Sequence, residues 1–435
     1  MTKNVTISDD IVVLIENVDL TLENADLAIK TLSKIRNLAT TSENQNIICQ
    51  SKFYLRLILF VKDLLIKMKI SNDSVDKKTL LKICAQLFSN LSTNNERTQN
   101  TIINSFFTDD YILLNMLQIT YLQGIILIFF HNLMKNNAEN CRAVLNSDIG
   151  LKFLIFVLND DNCRTDDLCQ NLVWEILKNL LVCYTAKNLI KRVLQTDEVV
   201  HENEYFNESQ GLILKVTLEM LLSDEVNIDF KSIEYFCGLL KLMLKLEKST
   251  FKESIPCSAE LHVQLPDAFF NLKYLEYAVL ITKIISKSLE TLSEDLRRLL
   301  IINYTLMESL MWFLYWMDKL QSKATLVVPS EKKPFDSVLF LLKRDIIKAL
   351  CFLTSNDNSE VQDEVRRLGF LPLILNQCQI DDHNPYVKEY SILLIKNLTN
   401  NNAKNQEFIS NLTPVSVSQN TTLPPTFNMK IDSHN

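Results

Sequence analysis

Two stretches decide the fold: LLKICAQLFSNLSTNNERTQNTIINSF at residues 80–106 and VKEYSILLIKNLTNNNAKNQEFIS at residues 387–410. Each places apolar residues at helical spacing ahead of an Asn-Leu pair, then continues through an asparagine-rich turn into a second helical pattern. Because the same order of features occurs near both ends of the chain, the sequence indicates a repeated helical unit.

The Asn-Leu pair recurs along the chain, and we call its asparagines the marker asparagines: Asn37, Asn90, Asn132, Asn179 and Asn397. The first four are 53, 42 and 47 residues apart, and a degenerate copy, Phe352-Leu353, precedes the last by 45 residues. Armadillo and HEAT repeats are about 40 to 47 residues long. The spacing therefore predicts an all-α fold, an armadillo/HEAT-like right-handed α-solenoid.

Apolar residues stand five and two positions before each marker asparagine. They are Leu32, Ala85, Leu127, Trp174 and Ile392 at the first position, and Ile35, Phe88, Phe130, Leu177 and Ile395 at the second. At 100° per residue they form one stripe with the leucine of the pair, and the asparagine lies about 160° from its centre. The stripe is predicted to be core, and the asparagines are predicted to project away from it.

Glycine and proline usage supports helix. The 435 residues contain 5 glycines, where average usage would give roughly 30, and no proline precedes Pro256. Glycine-rich phosphate loops and tight hairpins are therefore improbable. Gly150 and Gly369 each stand at a junction between helices, where we expect a left-handed helix C-cap, and Pro372 is expected in the first turn of the next helix.

Composition shifts divide the chain into four predicted segments. Residues 1–197 are predicted to form N-terminal armadillo-like repeats, and residues 198–334 an irregular helical region with loops. Residues 335–412 are predicted to form a C-terminal unit. Residues 413–435 lack periodicity and are rich in Pro, Ser, Thr and Asn, so we expect disorder there.

The sequence shows no local signature of catalysis or metal binding. The cysteines form no C-x-x-C pair, the histidines are remote from one another, and no glycine precedes Lys or Ser. We therefore predict no enzyme activity, cofactor or metal, although a site assembled across repeats stays open as an alternative. Scattered cysteines and a polar, acidic start without a signal peptide favour a reducing, cytoplasmic location.

Charge and hydropathy narrow the classes of partner. The net charge of −7 argues against nucleic-acid binding. Residues 111–134 carry no formal charge, but polar side chains such as Gln123 and Asn132 interrupt them, so we predict no membrane span. Protein partners on the long solenoid surface are expected. A homo-oligomer is possible, and nothing in the sequence indicates one.

The C-terminal unit resembles the ataxin-10 family in its fungal form. The matching residues are Arg344-Asp345, Val361-Gln362-Asp363, GFLPLIL at 369–375, NQCQIDDHNPY at 376–386, Lys396-Asn397-Leu398 and Asn405-Gln406. This detailed match covers under a fifth of the chain. Where that family usually has Gly-Ile before the proline, this sequence has Gly-Phe-Leu. The resemblance implies a non-catalytic, cytoplasmic armadillo protein that acts in regulation of cytokinesis, and so in the cell cycle, and in cell survival.

Two candidate partner-binding sites follow. In armadillo proteins that bind extended peptides, asparagines hydrogen-bond the ligand backbone, so the marker asparagines are one candidate. The alternative is that each asparagine caps or solvates the end of its helix. A nuclear-import type of peptide adaptor is a further alternative, but the residues four positions before the asparagines are not tryptophan: Ser33, Gln86, Ile128, Glu175 and Leu393.

The second candidate is the C-terminal corner formed by Asp381, Asp382 and His383. Local capping also accounts for it, because Asn384 suits an N-cap, Pro385 suits the first helical turn, and carboxylates favour the positive end of a helix. The sequence leaves partner contact and capping open. A metal site is not predicted, since three consecutive side chains diverge around a turn.

Overall fold

A computed structural model describes residues 7–70, 74–107, 110–194, 208–245, 272–304, 306–324, 333–355, 359–379, 384–412, 414–416 and 426–427. The chain forms two compact units, Met1–Asp197 (unit 1) and Glu198–Asn435 (unit 2). The helices of unit 1 are α1 Ile7–Asn17, α2 Ala25–Leu38, α3 Ser42–Gln50, α4 Lys52–Ile70, α5 Val75–Leu91, α6 Glu96–Phe106, α7 Asp110–Leu117, α8 Thr120–Met134, α9 Ala138–Asn146, α10 Asp148–Asn159, α11 Asp161–Thr165, α12 Asp167–Cys183 and α13 Ala186–Leu194.

Unit 2 is also built mainly from helices. They are α14 Glu208–Leu222, α15 Phe230–Lys245, α16 Leu272–Thr291, α17 Glu294–Tyr304, α18 Leu306–Ala324, α19 Lys333–Leu353, α20 Ser359–Arg367, α21 Leu371–Asn376, α22 Pro385–Thr399 and α23 Ala403–Ser410. Two short strands, β1 Pro414–Ser416 and β2 Thr426–Phe427, pair antiparallel with Pro414 opposite Phe427. The all-α, armadillo/HEAT-like solenoid class is confirmed, and its handedness stays a prediction.

The marker asparagines lie near the ends of helices that pack side by side. In unit 1, α2 packs on α5, α5 on α8, and α8 on α12. In unit 2, α14, α16, α19 and α22 pack in the same succession. We call α2, α5, α8, α12 and α22 the marker helices. Leu91, Leu133 and Leu398, which follow three of the asparagines, are fully buried, so α5, α8 and α22 each have a buried apolar side.

The predicted core stripe is confirmed in the first three marker helices. Leu32, Ile35, Ala85, Phe88, Leu127 and Phe130 are all buried. The prediction is wrong for α22, where Ile392 is 51% exposed and Ile395 is only half-buried, while Leu394 is fully buried. Trp174 of α12 is also half-buried. Among the described residues, α12 and α22 are the last marker helices of their units, so no further marker helix covers that side.

The two glycine junctions differ. Gly369 has φ 77°, as a left-handed turn after α20 requires, and Pro372 lies in the first turn of α21, so both predictions are confirmed. The prediction for Gly150 is wrong, because it lies inside α10 and its backbone N–H donates to Ser147 Oγ at 3.0 Å. A Cβ there would lie 2.0 Å from the carbonyl oxygen of Val144. Glycine is therefore required because the backbone of Val144 packs too closely for a larger residue.

The fourfold division of the chain stays a prediction. Within residues 413–435, for which disorder is predicted, the structure describes only the paired strands β1 and β2, and disorder of the segment stays a prediction. Among the described residues, no single helix could cross a membrane; one pair, Glu294–Ile302 and Leu306–Asp318, is apolar and long enough together but bends by 70°.

Candidate functional site

Asparagine doublets reverse the chain after three marker helices. The first residues of the doublets, Asn94, Asn136 and Asn401, have φ of 53°, 57° and 53°, a left-handed conformation that asparagine tolerates better than most residues. The second residues, Asn95, Asn137 and Asn402, are the N-caps of α6, α9 and α23. Each cap accepts a hydrogen bond from the backbone N–H three residues later, so one doublet ends a turn and starts a helix.

The same N-cap side chains reach back to the preceding repeat. The Nδ2 group of Asn95 donates to Gln45 Oε1 at 2.9 Å. Asn137 donates to Gln99 Oε1 at 3.0 Å, and Asn402 donates to Gln362 Oε1 at 3.1 Å. In each pair the glutamine belongs to the repeat before the asparagine, so the cap joins two repeats.

The glutamines complete the connection by donating in the opposite direction. Gln45 Nε2 donates to the carbonyl oxygen of Asn90 at 2.8 Å, and Gln99 Nε2 donates to that of Asn132 at 2.7 Å. Gln362 Nε2 donates to the carbonyl oxygen of Asn397 at 2.8 Å. All three glutamines are buried, where an unpaired amide is costly. We call a glutamine, the N-cap asparagine that donates to it and the marker carbonyl that it meets an amide clamp.

The marker asparagines add a third link between repeats. Asn90 Nδ2 donates to the carbonyl oxygen of Arg36 at 2.9 Å, and Asn132 Nδ2 donates to that of Ser89 at 3.2 Å. Asn397 Nδ2 donates to the carbonyl oxygen of Cys351 at 3.2 Å. Every acceptor is the residue just before the marker position of the previous repeat, so the contact is periodic.

The two remaining marker asparagines bond differently. Asn179 Nδ2 donates to the carbonyl oxygen of Glu175 in its own helix at 2.9 Å and lies 3.5 Å from His131 Nδ1. Asn37, on the first marker helix, is exposed, and its Oδ1 accepts from Arg36 Nε at 3.1 Å. Only Asn37 therefore stands as open as the sequence predicts, and the other four are half-buried.

These bonds limit what the marker asparagines could offer a partner. The side-chain N–H groups of Asn90, Asn132 and Asn397 donate to neighbouring repeats. Within the described residues their Oδ1 atoms accept no hydrogen bond, so a carbonyl acceptor is left on each. A role for the marker asparagines in partner binding stays a prediction, now confined to these oxygens.

One junction replaces the glutamine by a cysteine. Cys141 stands where Gln99 stands one repeat earlier, and its Sγ lies 3.5 Å from the carbonyl oxygen of Met134 and 3.6 Å from that of Asn179. Burial raises the pKa of the Cys141 thiol above its usual range, so the group stays a protonated, weak donor. The junction keeps the geometry of a clamp without the strength of an amide.

A row of side chains lies on the same side of these helices as the marker asparagines, at positions eleven, seven and four residues before the asparagine, and Ile83 of α5 is its one buried member. On α8 these are Tyr121, Ile125 and Ile128; on α12, Leu168, Leu172 and Glu175; on α22, Tyr386, Tyr390 and Leu393; on α5, Thr79, Ile83 and Gln86; on α2, Asp26, Lys30 and Ser33. We call the row on α2, α5, α8 and α12 the marker face.

The apolar part of the marker face is open. Tyr121 is 42% exposed and Leu168 is 54% exposed, although both stand on helices whose opposite sides are core. A Cβ built on Gly124 would lie 3.6 Å from Leu168 Cδ2, so the outward sides of α8 and α12 meet at this point. Exposed apolar groups that adjoin one another mark interaction sites more often than singly exposed ones do.

The C-terminal corner cannot be placed, because Asp381, Asp382 and His383 lie outside the described residues. Asn384 precedes α22, yet its side chain makes no capping hydrogen bond. Its Nδ2 donates instead to the carbonyl oxygen of Phe340 in α19 at 2.6 Å, so the prediction of a side-chain cap is wrong. Pro385 opens α22 as predicted.

The described residues contain no cluster of three or more His, Cys, Asp or Glu side chains that could hold a metal ion. The described cysteines are free thiols, and burial raises the pKa of Cys49 and Cys84 to about 12. A protonated, buried thiol is a poor nucleophile.

Sequence reasoning missed the glutamines of the amide clamps. A recurring pattern in the sequence could have indicated this position, because Gln99 and Gln406 each follow an Asn-Asn doublet, with three residues between the doublet and the glutamine. Gln45 and Gln362 occupy the same place in their repeats without a complete doublet. A buried role for this residue type is visible only once the neighbouring repeat is in place.

Comparison with known proteins agrees with the C-terminal pattern. Residues 342–434 match the family model described as the spinocerebellar ataxia type 10 protein domain. The ataxin-10 homolog of Candida glabrata is 45% identical over 78 residues, 18% of this chain and 14% of that protein. The ataxin-10 homolog of Saccharomyces cerevisiae is 48% identical over 64 residues, 15% of this chain and 11% of that protein. These two matches thus span less than a fifth of each relative.

A longer match extends the similarity beyond that segment. The ataxin-10 homolog of Debaryomyces hansenii is 24% identical over 364 residues, which cover 79% of this chain and 67% of that protein. Among solved structures, the SYS-1/POP-1 complex aligns with 90% of this chain and 68% of its own at 11% identity and a TM-score of 0.35. An engineered protein aligns with 64% of this chain and 96% of its own at 15% identity and a TM-score of 0.36. At these TM-scores the two solved structures support no inference about this chain. The resemblance to the ataxin-10 family is confirmed, and it is carried most strongly by the C-terminal unit.

Proposed function

We propose that this protein is a non-catalytic scaffold that binds a protein partner on the marker face of unit 1. A scaffold-type protein agrees with the helical-repeat fold and with the ataxin-10 resemblance. The observation that carries the proposal is the exposure of Tyr121 and Leu168 on adjoining helices, because exposed apolar groups that adjoin one another mark interaction sites more often than singly exposed ones do.

The amide clamps give this surface a fixed shape. Gln45 Nε2 donates to the carbonyl oxygens of Ala39 and Asn90, and Gln99 Nε2 donates to those of Ser92 and Asn132, so each glutamine ties the ends of two neighbouring marker helices together. A surface that is already ordered loses little conformational entropy when a partner binds. Rigid spacing between α2, α5 and α8 therefore favours binding of one long partner segment over several helices.

The free Oδ1 atoms of Asn90 and Asn132 add a polar element. Each could accept a backbone N–H from an extended segment that crosses the marker helices. This would keep part of the peptide-binding role predicted for the marker asparagines, with the direction of the hydrogen bond fixed by the structure. One such neutral hydrogen bond contributes about 0.5 to 1.5 kcal/mol.

The cellular process follows from the family resemblance alone. We propose regulation of cytokinesis and cell survival as the setting, with the cytoplasm as the location. No catalytic step is included in the proposal, which agrees with the absence, among the described residues, of a group of three or more His, Cys, Asp or Glu side chains that could hold a metal ion.

Affinity purification from the native cell tests the proposal. The full chain is compared with a variant carrying Tyr121→Asp and Leu168→Asp, which places charge on the apolar part of the marker face. A matched control carries Leu55→Asp and Leu59→Asp, two residues of α4 that are at least as exposed. Circular dichroism during thermal unfolding checks that all three proteins fold.

We expect the control to retain the partners of the full chain and the marker-face variant to lose them. If the folded marker-face variant captures the same partners at the same level, the marker face is not the contact. A third variant with Asp381→Ala and His383→Ala then tests the C-terminal corner, which competes as the site.

A further inference from the structure

We propose that the outer side of α4 binds the surface of membranes that contain anionic lipids. Exposed aliphatic side chains form a row there between basic ones, and we call this row the α4 stripe: Leu55, Leu59, Ile66 and Ile70. The marker face does not include α4, so this proposal does not depend on the proposed function.

The α4 stripe runs along most of its helix. At about 100° per residue, its four side chains fall within roughly 60° of one another around the helix axis. From Leu55 to Ile70 the rise is roughly 22 Å at about 1.5 Å per residue. The four residues are 61%, 66%, 39% and 80% exposed in chain order. Exposed apolar groups that adjoin one another mark interaction sites more often than singly exposed ones do.

Core packing holds the α4 stripe at the surface. The opposite side of α4 carries Leu57, Val61 and Leu64, which are fully buried. Rotation of α4 that turned the stripe inward would expose these core side chains to water, which is unfavourable. The stripe is therefore a fixed part of the surface of unit 1.

Basic side chains border the α4 stripe on both sides. By the same helical angle, Lys52, Arg56 and Lys67 lie toward one side, and Lys62 and Lys69 lie toward the other. All are exposed except Lys62, which is half-buried. Basic side chains in such a position place their charge among lipid head groups while the aliphatic row enters the acyl layer.

Contacts within the protein hold several of these basic side chains beside the stripe. Arg56 Nη2 donates to the carbonyl oxygen of Val18 at 2.7 Å. The Nζ atoms of Lys62 and Lys69 lie 5.8 Å and 5.1 Å from the ring centre of Tyr111 in α7. A carbonyl oxygen or an aromatic ring attracts a cation without removing its charge.

Acidic groups around the α4 stripe are fewer than basic ones. The one on α4, Asp63, pairs with Lys67 at 2.7 Å. The helices that pack against α4 are α3, α5 and α7, and they add one acidic residue each: Glu43, Asp76 and Asp110. These four helices together carry eight Lys or Arg and four Asp or Glu, so 8 − 4 gives +4 in a chain whose net charge is −7.

The basic groups differ in how close other acidic groups lie. Arg56 contacts the N-terminal segment that also holds Glu16 and Asp19, so part of its charge is offset. Lys52 and Lys69, one toward each side of the stripe, form no ion pair within the described residues. These two lysines are therefore the positions at which the proposal is tested.

The composition of the α4 stripe favours a lipid surface over a protein or a nucleic acid. All four of its side chains are aliphatic, whereas the binding energy of protein interfaces comes mostly from Trp, Tyr and Arg. Proteins that bind single-stranded nucleic acid stack aromatic side chains on the bases, and the stripe contains none. Acyl chains accept aliphatic groups, and anionic head groups attract the lysines beside them.

Co-sedimentation of the full chain with lipid vesicles tests the proposal. One set of vesicles contains phosphatidylcholine with about one-third phosphatidylserine, and a second set contains phosphatidylcholine alone. We expect at least about tenfold tighter binding to the anionic vesicles, because each basic residue near an anionic surface strengthens binding about fivefold. Added salt should weaken this binding.

A charge-reversal variant tests the basic border of the stripe. Lys52→Glu with Lys69→Glu should weaken binding to the anionic vesicles by at least about tenfold. The control Lys30→Glu with Lys34→Glu makes the same change of charge at exposed lysines of α2 and should leave binding within about threefold.

A second variant tests the stripe itself without changing charge. Leu59→Ser with Ile70→Ser removes exposed apolar area and should weaken vesicle binding by about tenfold. The control Tyr121→Ser with Leu168→Ser removes exposed apolar area from the marker face and should leave vesicle binding within about threefold. Circular dichroism during thermal unfolding checks that every variant folds.

Equal binding to the two sets of vesicles would overturn the proposal, as would equal weakening by a variant and its control. Tighter binding of a single-stranded oligonucleotide, or of a soluble peptide of alternating glutamate and leucine, would assign the surface to another class of partner. A dimer in analytical ultracentrifugation that Leu59→Ser with Ile70→Ser dissociates would overturn it too, because a second copy would then cover the stripe. The proposed function is tested separately by the capture of cellular partners with Tyr121→Asp and Leu168→Asp.

Discussion

The amide clamp occurs in both units. The two versions differ in the second acceptor of the cap asparagine, which is an amide oxygen in unit 1 and a carboxylate oxygen in unit 2. In unit 1 the cap asparagine Asn137 donates to Gln99 Oε1 and to Asn100 Oδ1 at 2.9 Å. In unit 2 the equivalent Asn402 donates to Gln362 Oε1 and to the carboxylate of Asp363 at 3.1 Å. The geometry of the clamp is thus independent of whether its outer acceptor is neutral or charged.

In unit 2, whose outer acceptor is the carboxylate of Asp363, Arg366 also takes part in the clamp. Arg366 Nη1 donates to Asp363 Oδ1 at 2.6 Å and to Asn405 Oδ1 at 2.6 Å, which ties α20 to α23. Ile103 occupies the corresponding place in unit 1 and is buried. Hydrogen bonds from Asn402 and Arg366 hold the pKa of Asp363 below its usual value, so only the unit 2 clamp depends on pH at this position.

The largest expected effect comes from removing the leucine under each clamp. Leu133→Ala and Leu398→Ala should each lower the free energy of unfolding by about 2 to 5 kcal/mol, because both side chains are fully buried. Leu393→Ala, at an exposed site of α22, should change it by under about 0.5 kcal/mol. These free energies are measured by urea denaturation, with hydrogen exchange of peptides from each unit as the readout. A large loss for Leu393→Ala would contradict the register of α22.

Removing a clamp glutamine should lower the free energy of unfolding by less than removing the leucine does. The loss should be equal in the two units. Gln99→Ala and Gln362→Ala each remove the glutamine partner of a buried carbonyl group and of the cap amide, which keeps only its second acceptor, for a loss of about 1 to 3 kcal/mol. Cys141→Ala should cost under about 1 kcal/mol, since a thiol is a weak donor. The same denaturation assay ranks the three, and a larger loss at Cys141 than at Gln99 would show that the amide is not the stronger link.

The marker asparagines should contribute less again. Asn397→Ala should lower the free energy of unfolding by about 0.5 to 1.5 kcal/mol, because its hydrogen bond to the Cys351 carbonyl oxygen and the longer one to Thr354 Oγ1 are lost. Asn37→Ala should cost under about 0.5 kcal/mol, since its side chain bonds only to the adjacent Arg36 within the described residues. If urea denaturation showed equal losses of unfolding free energy for Asn397→Ala and Asn37→Ala, the inter-repeat hydrogen bond of Asn397 would contribute nothing to stability.

The smallest effect is the pH dependence of the unit 2 clamp. The pKa of Asp363 is lowered in the folded chain, so its stabilisation is present above the unfolded value of about 3.9 and is lost as pH falls through the folded value. Asp363→Asn should therefore reduce the drop in thermal midpoint between pH 7 and pH 3. Other carboxylates act equally in both proteins, so an unchanged drop would show that Asp363 adds no acid sensitivity.

The sequence predicted the repeats and their core well, for a physical reason. The stripe residues Leu32, Phe88 and Phe130 are spaced by helical geometry within one helix, and burial follows from that spacing. The same rule failed at Ile392, because burial of that side depends on whether another helix packs against α22. Local periodicity predicts which side of a helix is apolar. It does not predict whether another helix packs against that side.

The candidate site was less predictable because its bonds join residues far apart in the chain. Asn90 and Arg36 are 54 residues apart, and Gln99 and Asn132 are 33 apart, so no local pattern shows that their polar groups pair. The sequence identified the recurring asparagines and their direction, yet it could not show that the side-chain N–H groups are already used. The exposed row headed by Tyr121 became visible only when the marker helices were set side by side.

The central claim is that the marker asparagines hold repeats together while the side chains beside them bind the partner. The most direct measurement is the free energy of unfolding of unit 1 in a chain with Asn90→Ala and Asn132→Ala, beside the chain with Tyr121→Asp and Leu168→Asp. The asparagine variant is predicted to lose about 1 to 3 kcal/mol and the marker-face variant under about 0.5 kcal/mol. Unchanged stability of the asparagine variant would contradict the account, because its two periodic hydrogen bonds would then hold nothing together.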